Sequence, residues 1–197
     1  MPYKKILVLF FHPRFEDSRA NKALVEAVSN VENVTLIDMY DQYPDFNIDV
    51  KCEQELLLAH DIIIWQHPFF WYNCPPLMKQ WIDLVLELGW AYGKGGDKLE
   101  GKHIFNVITS GGSLEVYQKT GRNRFTYREF LNSFDQTAYL CHMHYLPPFL
   151  VPAAGRLTEE DLKVYGESYR KILETIQLPD FDFAQLQEIT YFNEFKP

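Results

Sequence analysis

The chain predicts a doubly wound α/β fold, a five-stranded parallel sheet in the order 2-1-3-4-5 with helices on both faces. Three observations carry that reading. Short apolar runs alternate with helix-length stretches along the chain, the pattern of successive β-α-β units. The first run, Ile6 to Phe11, is apolar at every position, as a strand covered on both faces requires. Polar, aromatic or glycine-rich segments follow the first, third and fourth runs, and that strand order makes their loops neighbours. In open parallel sheets ligands bind beyond the carboxyl ends of the strands, where the strand order reverses.

The elements follow in order. His12-Pro13-Arg14 stops the first strand, and Ser18 to Ser29 reads as a helix with Leu24, Val25 and Val28 at helical spacing. Val34 to Ile37 is the second strand, ending at Asp38, and Asp49 to Ala59 is the next helix. Ile62 to Trp65 is the third strand. Pro75 and Pro76 open a helix whose first amides have no partner to lose. Its Leu77, Met78, Trp81, Ile82, Val85 and Leu86 lie on one face. A glycine-rich loop, Gly89 to Gly101, leads to the fourth strand, His103 to Thr109. A helix is expected within Thr126 to Ala138 and a short fifth strand around Tyr139 to Met143. Pro147-Pro148 and Pro152 mark an extended loop, and Thr158 with Glu160-Asp161 starts the last helix, ending near Ile176. The segment 178–197 has no period but holds Phe181, Phe183, Tyr191, Phe192 and Phe195, so it is expected to pack on the body or on a second subunit.

The 197 residues are read as one domain, 1–197, large enough for a core without disulfides or metal. A net charge of −8 argues against a nucleic-acid partner, since phosphate binding draws on Lys and Arg. Cys52, Cys74 and Cys141 show no disulfide or zinc spacing, which fits a reducing compartment. The first apolar run is too short for a signal-peptide core or a membrane span, so the expectation is a soluble cytoplasmic protein.

Three segments carry chemistry. In the first, Ser18 suits a helix N-cap, and the amides of Arg19, Ala20 and Asn21 then face an incoming anion. His12 and Arg19 add donors or positive charge, and the Asn21 amide is expected to donate to a ligand. Taken alone, an ordinary cap beside a surface arginine reads equally well. In the second, Phe69, Phe70, Trp71 and Tyr72 follow His67-Pro68, a ring-rich loop on which a planar heterocycle stacks. A hydrophobic plug between helices is the competing reading. In the third, Thr109-Ser110-Gly111-Gly112 offers two hydroxyls and close backbone approach, and reads also as a tight turn. Gly93 to Gly96 lacks the strand-turn-helix context of a nucleotide loop. His142 and His144 are expected on one side of the fifth strand, in a structural role. Cys74 sits near a helix start, though a packing thiol is the better reading.

With these segments in place, the chain resembles the flavodoxin-like NAD(P)H:quinone oxidoreductase family over roughly residues 4 to 176. Tyr43 to Asp49, Trp65 to Pro68, Pro75 to Asp83 and Gly89 to Gly93 resemble its bacterial branch, which includes ancillary subunits of glutathione-gated potassium-efflux systems. The resemblance implies a homodimer binding FMN, with FAD the alternative, and NADPH or NADH passing hydride to a quinone by a ping-pong route. It places FMN against His12, Ser18 to Asn21, Phe69 to Tyr72 and Thr109 to Gly112. The tyrosine of a family Tyr–His pair falls on Tyr117, a candidate catalytic residue, while the histidine position holds Asn123, which cannot relay a proton. A second function follows from the same likeness: a regulatory subunit held at the inner membrane by a transporter partner, with reductase activity secondary.

Overall fold

The computed structural model describes residues 2–196. Strands β1 (Ile6–Phe10), β2 (Val34–Asp38), β3 (Ile62–Pro68) and β4 (His103–Thr109) pair in one parallel sheet, with β2 at its edge. With β5 (His144–Tyr145) beyond β4, its order is β2-β1-β3-β4-β5, as the sequence predicts. Helices α1 (Arg19–Val28), α2 (Met39–Gln42), α3 (Val50–Ala59), α4 (Pro76–Val85), α5 (Tyr127–Phe130), α6 (Asn132–Leu140) and α7 (Glu159–Ile176) complete the fold.

The unbroken apolar run of β1 has a simple cause. Leu7 and Leu9 point into one layer with Trp65, Trp81 and Phe134, while Ile6 and Val8 point into the other with Phe105, Tyr169 and Ile172. A two-fold side-chain period between two covered faces makes every position a core position.

The fifth strand lies further along than its sequence pattern suggests. Helix α6 runs on through Tyr139 to Leu140, leaving both residues exposed, and His142 turns the chain at φ 60°. The histidines therefore do not share a strand face: only His144 lies in one. Pairing begins at β5 (His144–Tyr145) and resumes at β6 (Phe149–Val151), both on β4. Pro147-Pro148 lies between them, where two residues lack the amide a ladder needs. The helix expected within Thr126 to Ala138 is likewise two helices joined at Leu131, the first opened by a Thr126–Glu129 capping box.

The aromatic tail closes on this edge. Phe192 is buried with its ring 4.8 Å from that of Phe105, and Phe183 stacks on His103 at 3.7 Å. Asn193 pairs with both backbone groups of Leu150, accepting from its N–H at 2.9 Å and donating to its carbonyl at 2.8 Å. A side-chain amide thus covers the free edge of β6, which would otherwise be open to pairing.

Candidate functional site

The first loop leaves β1 through Phe11 and His12, makes a short 3₁₀ turn at Phe15–Asp17, and enters α1 at Ser18. The Ser18 side chain caps the helix by accepting from the Asn21 N–H. Among the described residues the amides of Arg19 and Ala20 have no protein partner, as the first turn of a helix requires. His12 Nδ1 accepts from the Arg14 N–H at 3.1 Å, which leaves any ring proton on Nε2. Burial lowers the His12 pKa, so the imidazole is neutral at physiological pH.

Two residues of this loop behave differently from expectation. Arg19 turns toward α7 and pairs with Glu159 at 2.5 Å, so an opposite charge offsets its own. Asn21 is fully buried and donates through Nδ2 to both Ser18 Oγ and Thr109 Oγ1, each at 3.0 Å. Its donors are spent inside the protein; its Oδ1 is left buried without a partner.

The second segment begins later than the sequence suggests, because β3 continues through His67 and Pro68. His67 is fully buried. It hydrogen-bonds the Pro68 carbonyl through Nδ1 and Asn106 Nδ2 through Nε2, and Asn106 Oδ1 accepts from the Tyr145 hydroxyl at 2.6 Å. Burial drives the His67 pKa down to about 4, so this chain is neutral. Phe69 then packs inward among Tyr117, Tyr127 and Phe130. The plug reading holds for this one ring. Phe70, Trp71 and Tyr72 point outward, with Trp71 92% exposed. Trp71 and Tyr72 both hold left-handed backbone, at φ 49° and 63°.

The third segment closes against β6 and α5. Ser110 N–H donates to the Val151 carbonyl at 3.0 Å, and its hydroxyl hydrogen-bonds the Tyr127 hydroxyl and donates to the Gly112 carbonyl. Gly112 is required by packing, since a Cβ there would fall 2.7 Å from Tyr117 Cε2. Gly111 is different: a Cβ there would meet no atom of the protein within 4 Å. The space beside it is clear.

Those two segments meet in a cleft of about 440 Å³, a volume within the usual range for small-molecule sites. Phe69, Trp71 and Tyr72 form one side and Gly111 to Ser113 with Val116 and Tyr117 the other. Arg122, Asn123 and Arg156 complete the wall. The first loop does not line this cleft; it borders it through the His12–Phe70 ring contact at 5.9 Å and the Asn21–Thr109 hydrogen bond. Tyr117 is nearly buried, stacked on Tyr127 at 4.0 Å, and burial raises its pKa, so its hydroxyl stays protonated. Asn123 accepts from the Tyr72 hydroxyl at 3.4 Å. Arg122, Arg156 and Ser113 are not singled out by sequence reasoning. Their only signal is proximity in sequence to the glycine turn and to the end of the fifth strand.

Other candidates lie outside the cleft. Burial pushes the Cys74 thiol up to about 11, which makes it a poor nucleophile. Among the described residues no three His, Cys, Asp or Glu side chains converge as a metal site would need, and no helix is long and apolar enough to cross a membrane.

Comparison with known proteins bears on the fold that carries this site. Residues 4–173 match a family described as having the flavodoxin-like fold. The glutathione-regulated potassium-efflux system ancillary protein KefG of Erwinia tasmaniensis is 42% identical over 170 residues, covering 86% of this chain and 92% of its own. The general stress protein 14 of Treponema denticola, solved in complex with FMN, superposes with a TM-score of 0.82 at 35% identity, covering 88% of this chain and 99% of its own. An NADPH-quinone reductase from P. pentosaceus superposes at 0.79 and 29% identity, over 86% and 97% of the two chains.

Proposed function

The chain belongs to the family with the flavodoxin-like fold, and on that premise we propose that it is an FMN-dependent NAD(P)H:quinone oxidoreductase. The observation that carries the reading is the meeting of the aromatic loop and the glycine turn in one cleft at the carboxyl end of the sheet. The treponemal protein solved with FMN favours that cofactor over FAD, and the P. pentosaceus NADPH-quinone reductase favours a nicotinamide donor and a quinone acceptor.

The residues present fit a flavin mononucleotide. The unpartnered Arg19 and Ala20 amides at the head of α1 suit a phosphate, with His12 and Ser18 beside them. Buried Asn21 Oδ1 supplies an unused acceptor at the join between the phosphate and ring regions. Open space beside Gly111 and the outward rings of Phe70, Trp71 and Tyr72 suit a planar heterocycle. Bound there, flavin supplies two-electron hydride chemistry. The protein binds and orients the cofactor and the two substrates, excludes water with its aromatic wall, and offers a hydrogen bond from the protonated Tyr117 hydroxyl. A single cleft serving donor and acceptor in turn makes the kinetics ping-pong.

The KefG likeness supports a second reading, in which the chain is also an ancillary subunit recruited to a membrane transporter. The exposed Leu84 and Leu88 suit contact with a second copy, and a homodimer is proposed on that basis.

The test is direct. Purified protein with its visible spectrum recorded is titrated anaerobically with NADPH or NADH and then with menadione. Bleaching by the nicotinamide and recovery with the quinone support the reductase; parallel initial-rate lines support the ping-pong route. Flavin that binds without bleaching moves the weight to the regulatory reading.

A further inference from the structure

The cleft carries charge of the opposite sign to the rest of the protein. The chain has a net charge of −8, yet the cleft wall holds two guanidinium groups, Arg122 and Arg156, and no carboxylate. Neither arginine, nor Arg124, belongs to any ion pair among the described residues, whereas Arg14, Arg19, Arg128 and Arg170 all do. Arg124 lies over the Phe125 ring, outside the cleft wall. The nearby Glu115, outside the cleft wall, has its pKa lowered first by a hydrogen bond from the Ser113 side chain and then by its own backbone, with Arg156 a lesser cause.

The backbone holds both arginines to the same turn, from opposite sides. Asn123 N–H donates to the Val116 carbonyl at 2.9 Å, fixing the segment that carries Arg122. Gly121 lets that segment close, since a Cβ there would lie 2.5 Å from the Glu115 carbonyl oxygen. On the other side Ala153 N–H donates to the Gly112 carbonyl and Ala154 N–H to the Ser110 carbonyl, each at 2.8 Å. Arg156 N–H then donates to the Ala153 carbonyl, also at 2.8 Å. Two cations are thus tethered around Gly111 and Gly112, with rings facing them across the cleft. Planar guanidinium forks match phosphate, carboxylate and sulfonate oxygens.

We propose that Arg122 and Arg156 form an anion subsite that selects small-molecule substrates bearing a phosphate or comparable acid group beside an aromatic ring. This inference rests on the reductase reading and names the substrate class of that cleft. One source of the anion is the 2′-phosphate of the donor, carrying about −1.5 to −2 charges like other phosphate monoesters. The other is an acid group on the quinone.

The test uses wild type, Arg122→Gln, Arg156→Gln and the Arg122→Lys variant. Adenosine 2′,5′-bisphosphate and AMP are titrated against intrinsic tryptophan fluorescence, with and without added FMN. Kinetic selectivity is measured as the kcat/KM ratio for NADPH over NADH and for a naphthoquinone sulfonate over menadione. Expected is a preference of about tenfold or more for the anionic member in at least one pair, falling about tenfold per glutamine substitution, since each charge-assisted bond is of that order. The preference shrinks as salt rises, because these side chains face solvent. A donor-phosphate source shows in the nucleotide arm, an acceptor source in the quinone arm. Equal treatment of both members of every pair overturns the proposal, whether or not flavin binds. Failure of FMN to bind overturns the reductase reading separately, since the nucleotide titration without FMN still reports on the arginines.

Discussion

Asn21 on α1 and Thr109 at the end of β4 are joined by a buried Nδ2–Oγ1 hydrogen bond of 3.0 Å. It links two loops that are 88 residues apart in the chain. The same amide holds Ser18 Oγ, so the helix cap and the strand end share one donor group. Replacing Asn21 by Ala leaves the Thr109 hydroxyl without this donor in a dry site, while the Ser18 cap keeps its main-chain N–H and loses only the side-chain amide. A buried hydrogen bond lost this way costs about 1–3 kcal/mol. We expect a lower urea midpoint and weaker FMN binding in Asn21→Ala, read by chemical denaturation and fluorescence titration. An unchanged flavin Kd beside a lowered midpoint would show that the join serves stability alone.

Trp71 occupies a backbone conformation that an L side chain adopts at a cost, and its indole touches almost nothing of its own chain: φ is 49° and the residue is 92% exposed. A non-glycine residue held there costs on the order of 1–3 kcal/mol. Glycine would relieve that cost at once. Trp71→Gly is therefore expected to melt at the same or a higher temperature than wild type. Lost ring stacking of about 0.5–1.5 kcal/mol should weaken FMN or substrate binding about two- to twelvefold. Scanning calorimetry and flavin titration check the two halves of that trade.

The sheet is legible because β1 is apolar at every position, β3 opens on the apolar run Ile62 to Trp65, and the runs stop at residues of another kind, His12, Asp38 and Thr109. Local chemistry likewise marks Ser18 and Thr158 as caps, and both cap their helices. The fifth strand reads too early because Tyr139 to Met143 is as apolar as a short strand, yet those residues end a helix whose exposed face carries Tyr139 and Leu140. Periodicity over five residues cannot separate those cases. Ring content does not show that Phe69 turns inward while Trp71 turns outward, because that split depends on backbone φ. Arg122 and Arg156 escape notice because exposed arginines are common and only the tertiary fold brings these two to one cleft. Asn21 is legible as a cap neighbour, but its second partner on β4 lies beyond any local pattern.

Proton handling at the cleft should leave a recognisable pH signature. Asn123 does not titrate, and burial foremost, then Tyr72, raises the Tyr117 pKa above its ordinary 10. Neither group gains or loses a proton near neutrality. Asn123→His is expected to add an inflection to the rate profile that wild type lacks. The inflection should fall below imidazole's ordinary value of about 6.5, since Arg122 and Arg156 line the same cleft. Tyr117→Phe removes one hydrogen bond, worth about 0.5–1.5 kcal/mol, and should slow turnover by no more than about tenfold. A much larger loss would make Tyr117 a proton donor in the reaction.

Beneath the site, Glu53 is buried between Tyr43 and Trp81, accepting from the phenol at 2.8 Å and the indole at 2.7 Å. Desolvation raises its pKa above the ordinary 4.5, although both hydrogen bonds pull the other way. The folded state therefore holds this proton more tightly than the unfolded state does. Its contribution to stability is fully present below the unfolded pKa and is lost as pH rises through the folded one. In Glu53→Gln a neutral amide can offer its oxygen to Trp81 and a donor to Tyr43, so the slope disappears. Comparing denaturation of the two proteins from pH 4 to 8 cancels the other carboxylates, which both share. The variant should gain on wild type as pH rises and then level off. Every tenfold by which folding tightens the hold on this proton corresponds to about 1.4 kcal/mol of that gain. A wild type that instead gains on the variant with rising pH would mean the phenol and indole outweigh burial, and that Glu53 is ionised in the core.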